Sequence, residues 1–450
     1  MAEAQDIDDS LEFLRYFEKH TESDDLLYVV QQKLEKNRAV LDLTRHVLSP
    51  EDVRVLAELK PLQRVKELIL NETRLDSIGI QHLCGSPYLT QLEFLEIENN
   101  NVDDDGLFFL SKVSTFKNLK KLNAASNEIG PVGAKALSMS VTLLQLEDLN
   151  LAYNRITHLG VKALATSDLG SRLRRLNLTD TGIEVEGLKA VAKHARLNQL
   201  EALNLSANHL TDRAMEYLAQ AEAFANLTTL ILDNNHIGDE GVYALADSPM
   251  GDGLVELKLK CNGLTTDSAI SLAQSKSFSK LRRLDLNNND VRAEGTEAIA
   301  QSDYLRGLEY LDLGENSLAA AGAQALAQTT QLFQLKSLRL NDNGIGDEGV
   351  VALAASKTLV HLEALYLEQD NWIHARGAQA IAESTAFSKL HTLVLGLNGI
   401  GDEGARYLAE SKQLGQLVFL NVIGNKLTPA GEDILKNSPN LTGLKTLELV

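Results

Sequence analysis

Apolar positions recur along the chain at one spacing. Leu146-Glu147-Asp148-Leu149-Asn150-Leu151-Ala152-Tyr153-Asn154 and Leu335-Lys336-Ser337-Leu338-Arg339-Leu340-Asn341-Asp342-Asn343 share the form LxxLxLxxN. The first apolar position of this pattern falls at 65, 92, 119, 146, 173, 200, 227, 254, 281, 308, 335 and 362, a constant 27 residues apart, and again at 390, 417 and 444. Only the unit from 362 to 390 is one residue longer. Fifteen matches at a fixed period define a repeat array. Upstream, Leu41 and Leu43 take the positions of Leu68 and Leu70, and His46 stands where later units place Asn. This reads as a degenerate first unit, since terminal repeats are usually atypical.

Each unit predicts the same elements. Leu335, Leu338 and Leu340 alternate with polar residues as a short strand requires. Asn343, Ile345 and Gly346-Asp347-Glu348-Gly349 follow, and Val350 to Ala355 predicts a helix. Asp347 and Glu348 fall where a helix N-terminus favours negative charge. A unit is therefore strand, turn, helix, turn. Stacked units give an α/β solenoid, expected as a curved horseshoe with parallel strands on the concave face and helices on the convex face. The repeated Asn is expected to be structural, because a buried turn leaves backbone donors and acceptors that an amide side chain can satisfy. Thr73 and Thr181 replace it in two units, where a hydroxyl can do part of that job.

Units of the form Leu-x-x-Leu-x-Leu-x-x-Asn-x-Ile-Gly-Asp-Glu-Gly resemble the ribonuclease-inhibitor-like class of leucine-rich repeats. That class includes the ribonuclease inhibitor, the Ran GTPase-activating protein and the sensor arrays of intracellular immune receptors. The resemblance covers about residues 38–450. It implies the fold and says little of function. The chain departs from the ribonuclease inhibitor in its scarcity of cysteine and its uniform unit, and no functional residue of that class maps onto it by motif.

Residues 38–450 are expected to form one array of about 15–16 units, and residues 1–37 a helical N-terminal cap over its apolar end. A first cap helix is expected from Asp8-Asp9-Ser10 with Leu11, Leu14 and Phe17 on one face, and a second from Asp24 with Leu27, Val30 and Leu34 together. At the other end the sequence stops on a strand, Leu444 to Val450, with no cap after it. A bare edge of this kind predicts shielding by a partner or self-association through the C-terminal end.

Composition narrows the function classes. The formal charge of −19 disfavours nucleic acid, which needs a basic stripe, and suits a basic protein partner. No run of eighteen apolar residues predicts a membrane-spanning helix. Two cysteines, Cys84 and Cys261, lie too far apart in the array to be bridged, which fits a reducing, cytoplasmic setting.

Candidate chemistry is thin. No P-loop, Gly-x-Ser-x-Gly elbow or His-Glu-x-x-His pair occurs. His209 and His236 hold equivalent turn positions, as do Asp212 and Asp239, but equivalent polar residues stack in any solenoid and solvated turns are the expectation. No catalytic residue, metal or cofactor is expected. The strand residues that point into the concavity include Asn123, Asn150, Asn177 and Asn204, which predict a self-satisfied amide ladder. The last units differ. Tyr366, Val394, Leu397, Phe419 and Ile423 take positions that are mostly polar elsewhere, and Trp372, the only tryptophan, sits in the one insertion. Tyr366, Trp372, Val394, Leu397, Phe419 and Ile423 are therefore expected to form one exposed apolar patch that binds a partner. The resulting expectation is a non-enzymatic scaffold for protein–protein interaction. The alternatives are a GTPase-activating-like regulator of a small GTPase, or an effector delivered into a host cell.

Overall fold

The computed structural model describes residues 24–194 and 196–449. The expected first cap helix with Leu11, Leu14 and Phe17 lies outside the described residues. The second spans Asp24–Lys36 and buries Leu27, Val30 and Leu34 beside the first strand. The chain forms two compact units. One comprises the residues up to Asn208 together with Ala221–Leu227, and the other His209–Gln220 with the chain from Thr228 on.

In the first unit, strands Val40–Asp42, Glu67–Ile69, Phe94–Glu96, Lys121–Asn123, Asp148–Asn150, Arg175–Asn177 and Ala202–Asn204 pair in parallel, each with the next. In the second, Thr229–Ile231, Glu256–Lys258, Arg283–Asp285, Tyr310–Asp312, Ser337–Arg339, Ala364–Tyr366, Thr392–Val394, Phe419–Asn421 and Thr446–Glu448 do the same. The register is 27 residues, as in Leu68↔Leu95, and becomes 28 at Leu365↔Leu393, where the insertion falls. Each strand is three residues long with Leu in the middle. That Leu faces the core, and the residues on either side face the open sheet surface.

Each strand is followed by a turn and a helix, such as Pro131–Ser138 in the first unit and Gly346–Ala354 in the second. Between strand and helix layers lies a core of Leu, with Phe116, Phe224, Phe278 and Phe387 buried at equivalent points of the return loops. No helix among the described residues is long and apolar enough to cross a membrane.

Successive repeats are tied at both helix ends. Asp347 Oδ1 accepts from the backbone N–H of His374 (2.8 Å) and Gly377 (2.9 Å), so it caps the following repeat's helix rather than only its own. Asp104, Asp212 and Asp239 do likewise for their neighbours. At Gly241 a Cβ would stand 2.7 Å from the capping Asp212 carboxylate, so glycine lets that carboxylate approach closely, while the equivalent Ser268 keeps the cap of Asp239. At the other helix end, the hydroxyls of Ser140 and Ser411 donate to the carbonyls of Ser111 and Ala382 of the preceding repeat, 2.9 and 2.6 Å away. These bonds satisfy helix-terminal groups that a helix of eight or nine residues leaves open.

Candidate functional site: the turns and the open sheet surface

The turn asparagines hold the repeats together. Asn154 Oδ1 accepts from Ile129 N–H (3.0 Å), while Nδ2 donates to Ala124 O, Leu151 O and Ala152 O. Asn208 and Asn398 make the same set. The structural reading of this residue is therefore correct. The Thr73 and Thr181 hydroxyls donate to a carbonyl within their own repeat, Leu70 O and Leu178 O, and reach the turn amide oxygen of the next repeat, Asn100 Oδ1 and Asn208 Oδ1, but they bond no carbonyl of the preceding repeat as the asparagines do.

The residue before each turn Asn has positive φ: Tyr153 at +55°, Ala207 at +55°, Asp342 at +49° and Leu397 at +56°. This left-handed step turns the chain from strand toward helix and costs energy for any residue but glycine. At the insertion, Gln369 and Asp370 both adopt it, at +58° and +41°. The extra residue is absorbed in the turn, and Asn371 keeps its bonds to Leu340 O and Asn343 N–H.

On the sheet surface of the first unit the expected amide ladder is incomplete. Asn150 Nδ2 donates to Asn123 Oδ1 at 2.8 Å, a single rung. The Oδ1 atoms of Asn177 and Asn204 instead accept from the backbone N–H and hydroxyl of Thr179 and Ser206 two residues on. Local turn bonds win because both partners lie on the same short segment.

In the second unit the first and third strand positions carry charge and aromatic rings. The Arg283 guanidinium lies 4.3 Å from the Tyr310 ring, and Arg339 lies 3.8 Å from the Tyr366 ring. The Tyr310 hydroxyl donates to Asp312 Oδ2 (3.1 Å). Burial pushes the Asp285 carboxyl up to about 6, helped by the adjacent Asp312 charge and opposed by the Asn287 backbone N–H. Burial and the Asp312 charge likewise raise the Tyr310 phenol. The sequence lists Lys258, Asp285, Asp312, Arg339 and Tyr366 along this surface, but no sequence signal showed that they interact across 27 residues.

The six residues expected to form the apolar patch are placed as follows. Tyr366 and Phe419 are half-buried on the sheet surface, and Ile423 is half-buried at its margin. Trp372 is 64% exposed and Leu397 57% exposed. Val394 is only 4% exposed, which corrects its place in an exposed patch. Its short side chain sits on the central of three strands, between Tyr366 and Asn421. Trp372 and Leu397 also lean apart. The indole covers Gly344 of the preceding repeat, and the Leu397 side chain covers Gly424 of the following one.

His209 and His236 stack with ring centroids 5.4 Å apart and a 3.3 Å Nδ1···Nε2 contact. The neighbouring Asp212 and Asp239 are engaged as helix caps. Among the described residues no group of three or more His, Cys, Asp or Glu side chains is placed to hold a metal ion. Cys84 and Cys261 are free thiols, and burial pushes Cys84 up to about 12.

Nine segments, residues 117–138, 145–165, 172–192, 197–219, 225–246, 279–300, 306–327, 333–354 and 388–409, match the model of the family described as "Leucine Rich repeat". The chain is a leucine-rich repeat protein, with the α/β solenoid fold of that kind. No curated protein matches it. Among solved structures it is similar to a chain of the yeast Rad7–Elc1 complex, at 15% identity and a TM-score of 0.50, covering 99% of this chain and 97% of that one. It is also similar to a leucine-rich repeat protein of Leptospira interrogans, at 20% identity and a TM-score of 0.46, over 92% and 97% of the two chains. An internalin of Listeria monocytogenes matches at 18% identity and a TM-score of 0.44, over 89% and 94%. At these identities the likeness is one of fold.

Proposed function

We propose that this chain is a non-enzymatic scaffold that binds another protein through the open sheet surface and adjoining turns of its second unit. Trp372 is the observation that supports this reading most. It is largely exposed and held at φ +53°, at a turn position where Gly344 stands in the preceding repeat. Arg74, His209, Ser317 and Lys426 hold the same left-handed turn position with polar side chains, so it is the exposed indole that sets Trp372 apart, and exposed apolar surface marks binding sites. Tyr366, Phe419, Leu397 and Ile423 complete the contact set, with Val394 as its floor. Aromatic and arginine side chains of this kind dominate binding energy at protein interfaces. The net charge of −19 makes a basic protein the favoured partner class.

The finer placement in the ribonuclease-inhibitor-like class rests on the 27-residue strand-and-helix unit. The Asp24–Lys36 helix, with its buried Leu27, Val30 and Leu34, reads as part of a cap over the array. The test is affinity purification with the wild-type chain and with a Trp372→Ala, Phe419→Ala double variant. A protein retained at stoichiometric level by the first and lost from the second supports the reading. Equal retention by both overturns it.

A further inference from the structure

We propose that Asp285, with Asp312 beside it, receives the guanidinium group of an arginine carried by the protein that this surface binds. The inference rests on the proposed protein-binding function and names the chemistry of one anchor.

The cations around Asp285 are already engaged elsewhere. Lys258, its partner on the preceding strand, is 3.3 Å from Glu256. Arg283, two residues back, lies 3.2 Å from Glu256 and over Tyr310. Arg339 lies over Tyr366, with its Nε 3.9 Å from Asp312. Asp312, the partner of Asp285 on the following strand, is only 6% exposed and is fully engaged. It accepts from Gly314 N–H (3.0 Å) and Asn287 Nδ2 (3.5 Å) on Oδ1, and from the Tyr310 hydroxyl on Oδ2. Asp285 accepts one backbone bond, from Asn287 N–H at 3.0 Å, and among the described residues no cation lies within ion-pair distance of it, the Lys258 charge acting on it only from farther off. Of the two adjacent carboxylates, Asp285 alone is therefore short of donors.

A second observation points the same way. Asn287 is 7% exposed and lies between the two carboxylates, yet its Oδ1 has no hydrogen-bond donor. The Oδ1 of Asn341, on the far side of Gly314, is also buried without a donor. Buried acceptors of this kind are rare, because each forfeits the full cost of leaving water. Gly314 has no side chain to supply a donor, and Asn287 Nδ2 leans into the space that a Cβ would fill.

The chemistry that matches these acceptors is a flat, donor-rich cation. A guanidinium offers five N–H groups in a rigid fork. A metal ion fits poorly. It needs several converging oxygen ligands, and among the described residues no group of three or more His, Cys, Asp or Glu side chains is placed to hold one. Arg339 opposes an incoming cation from one side, but its charge is offset by the Asp312 carboxylate, 3.9 Å from its Nε.

The test is a calorimetric titration of the full chain with the blocked tripeptide Gly-Arg-Gly, beside its lysine and citrulline counterparts and calcium chloride. Saturable binding of the arginine peptide is expected, at least tenfold weaker with lysine and absent with uncharged citrulline. Asp285→Asn should weaken arginine binding at least tenfold while the variant stays folded by circular dichroism. No saturable arginine binding up to millimolar peptide overturns the inference, and so does equal binding by wild type and Asp285→Asn. Equal affinity for lysine, or displacement of the peptide by calcium, overturns the guanidinium assignment. If the arginine peptide fails while partner capture still depends on Trp372, this inference falls and the proposed function stands. If capture itself is independent of Trp372, the proposed function falls.

Discussion

Asn123, Asn150, Asn177 and Asn204 in the first unit hold the same strand position as Lys258, Asp285, Asp312 and Arg339 in the second. The first set accepts bonds within one or two residues or from a neighbouring rung, so its acceptors are satisfied by the chain itself. Around the second set, among the described residues, the Asp285 carboxylate has no cation within ion-pair distance, the amide oxygens of the nearby Asn287 and Asn341 have no donor, and Arg339 Nε has no hydrogen-bond acceptor. The backbone is the same in both, because the turn asparagines and helix caps are the same. The local turn bond is shared too, since Asp285 and Asp312 accept from the backbone two residues on as Asn177 and Asn204 do, so the difference lies in the remaining contacts of these side chains. A sheet surface built for stability can close on itself. One left unsatisfied has a cost that binding can offset.

The shared turn gives the largest expected effect. Asn154→Ala in the first unit and Asn235→Ala in the second should each destabilise the chain by about 2–3 kcal/mol, because several buried backbone groups lose their partner. Denaturant midpoints check this, and an unchanged midpoint in either variant breaks the claim that both units share one turn.

The next effect separates the two surfaces. Asp285 has its carboxyl raised to about 6 from an ordinary value of 3.8. A raised acid favours folding while protonated and loses that contribution as pH rises through the folded value. Asp285→Asn should therefore stabilise the chain at pH 7 by about 1–2 kcal/mol, below the ~3 kcal/mol that two full units would give, since the group is half-buried. The gain should fade between about pH 6 and 4 and vanish below that range. Stability curves against pH for the two proteins read it directly, and a destabilised variant at pH 7 would show that the carboxylate is already paired.

Asp239 titrates the other way. Burial pushes its carboxyl up, and the Ser268 hydroxyl with the Thr265 and Ser268 backbone donors more than offsets that, leaving it below its ordinary value. Its contribution is present above about pH 4 and is lost as pH falls through the lowered value. Acid unfolding of Asp239→Asn should accordingly depend less on pH than that of the wild type in this range.

Smaller effects are expected at the surface. Asn150→Ala removes one exposed-side rung and should change stability by less than about 1 kcal/mol. Trp372→Gly relieves the positive φ but frees the unfolded chain, so a net change within about 1 kcal/mol is expected.

The repeat, its strands and its helices are legible in the sequence because leucines at fixed spacing report burial directly. The turn asparagines are legible because buried polar residues recur at one position. The left-handed residue before them is not, since Tyr153, Ala207, Asp342 and Leu397 share no chemistry and only the backbone marks them. The helix caps were half legible. Asp347 suggests a helix N-terminus, but nothing local shows that it serves the next helix, 27 residues away in sequence. Val394 misleads because a β-branched residue at a sheet-surface position can be covered by larger neighbours. The Arg339–Tyr366 contact and the unpaired Asp285 are invisible for a related reason: which neighbour a long side chain chooses depends on its surroundings in three dimensions.

The most direct measurement compares partner affinity across the two surfaces. With the protein retained by affinity purification in hand, its dissociation constant is measured for the wild type, Trp372→Ala, Phe419→Ala and Asn150→Ala. Truncating an aromatic anchor typically costs ~2 kcal/mol or more of binding. The account predicts at least tenfold weaker binding for each of the two aromatic variants and less than twofold change for Asn150→Ala. Full affinity in both aromatic variants, with a loss in Asn150→Ala, would contradict it.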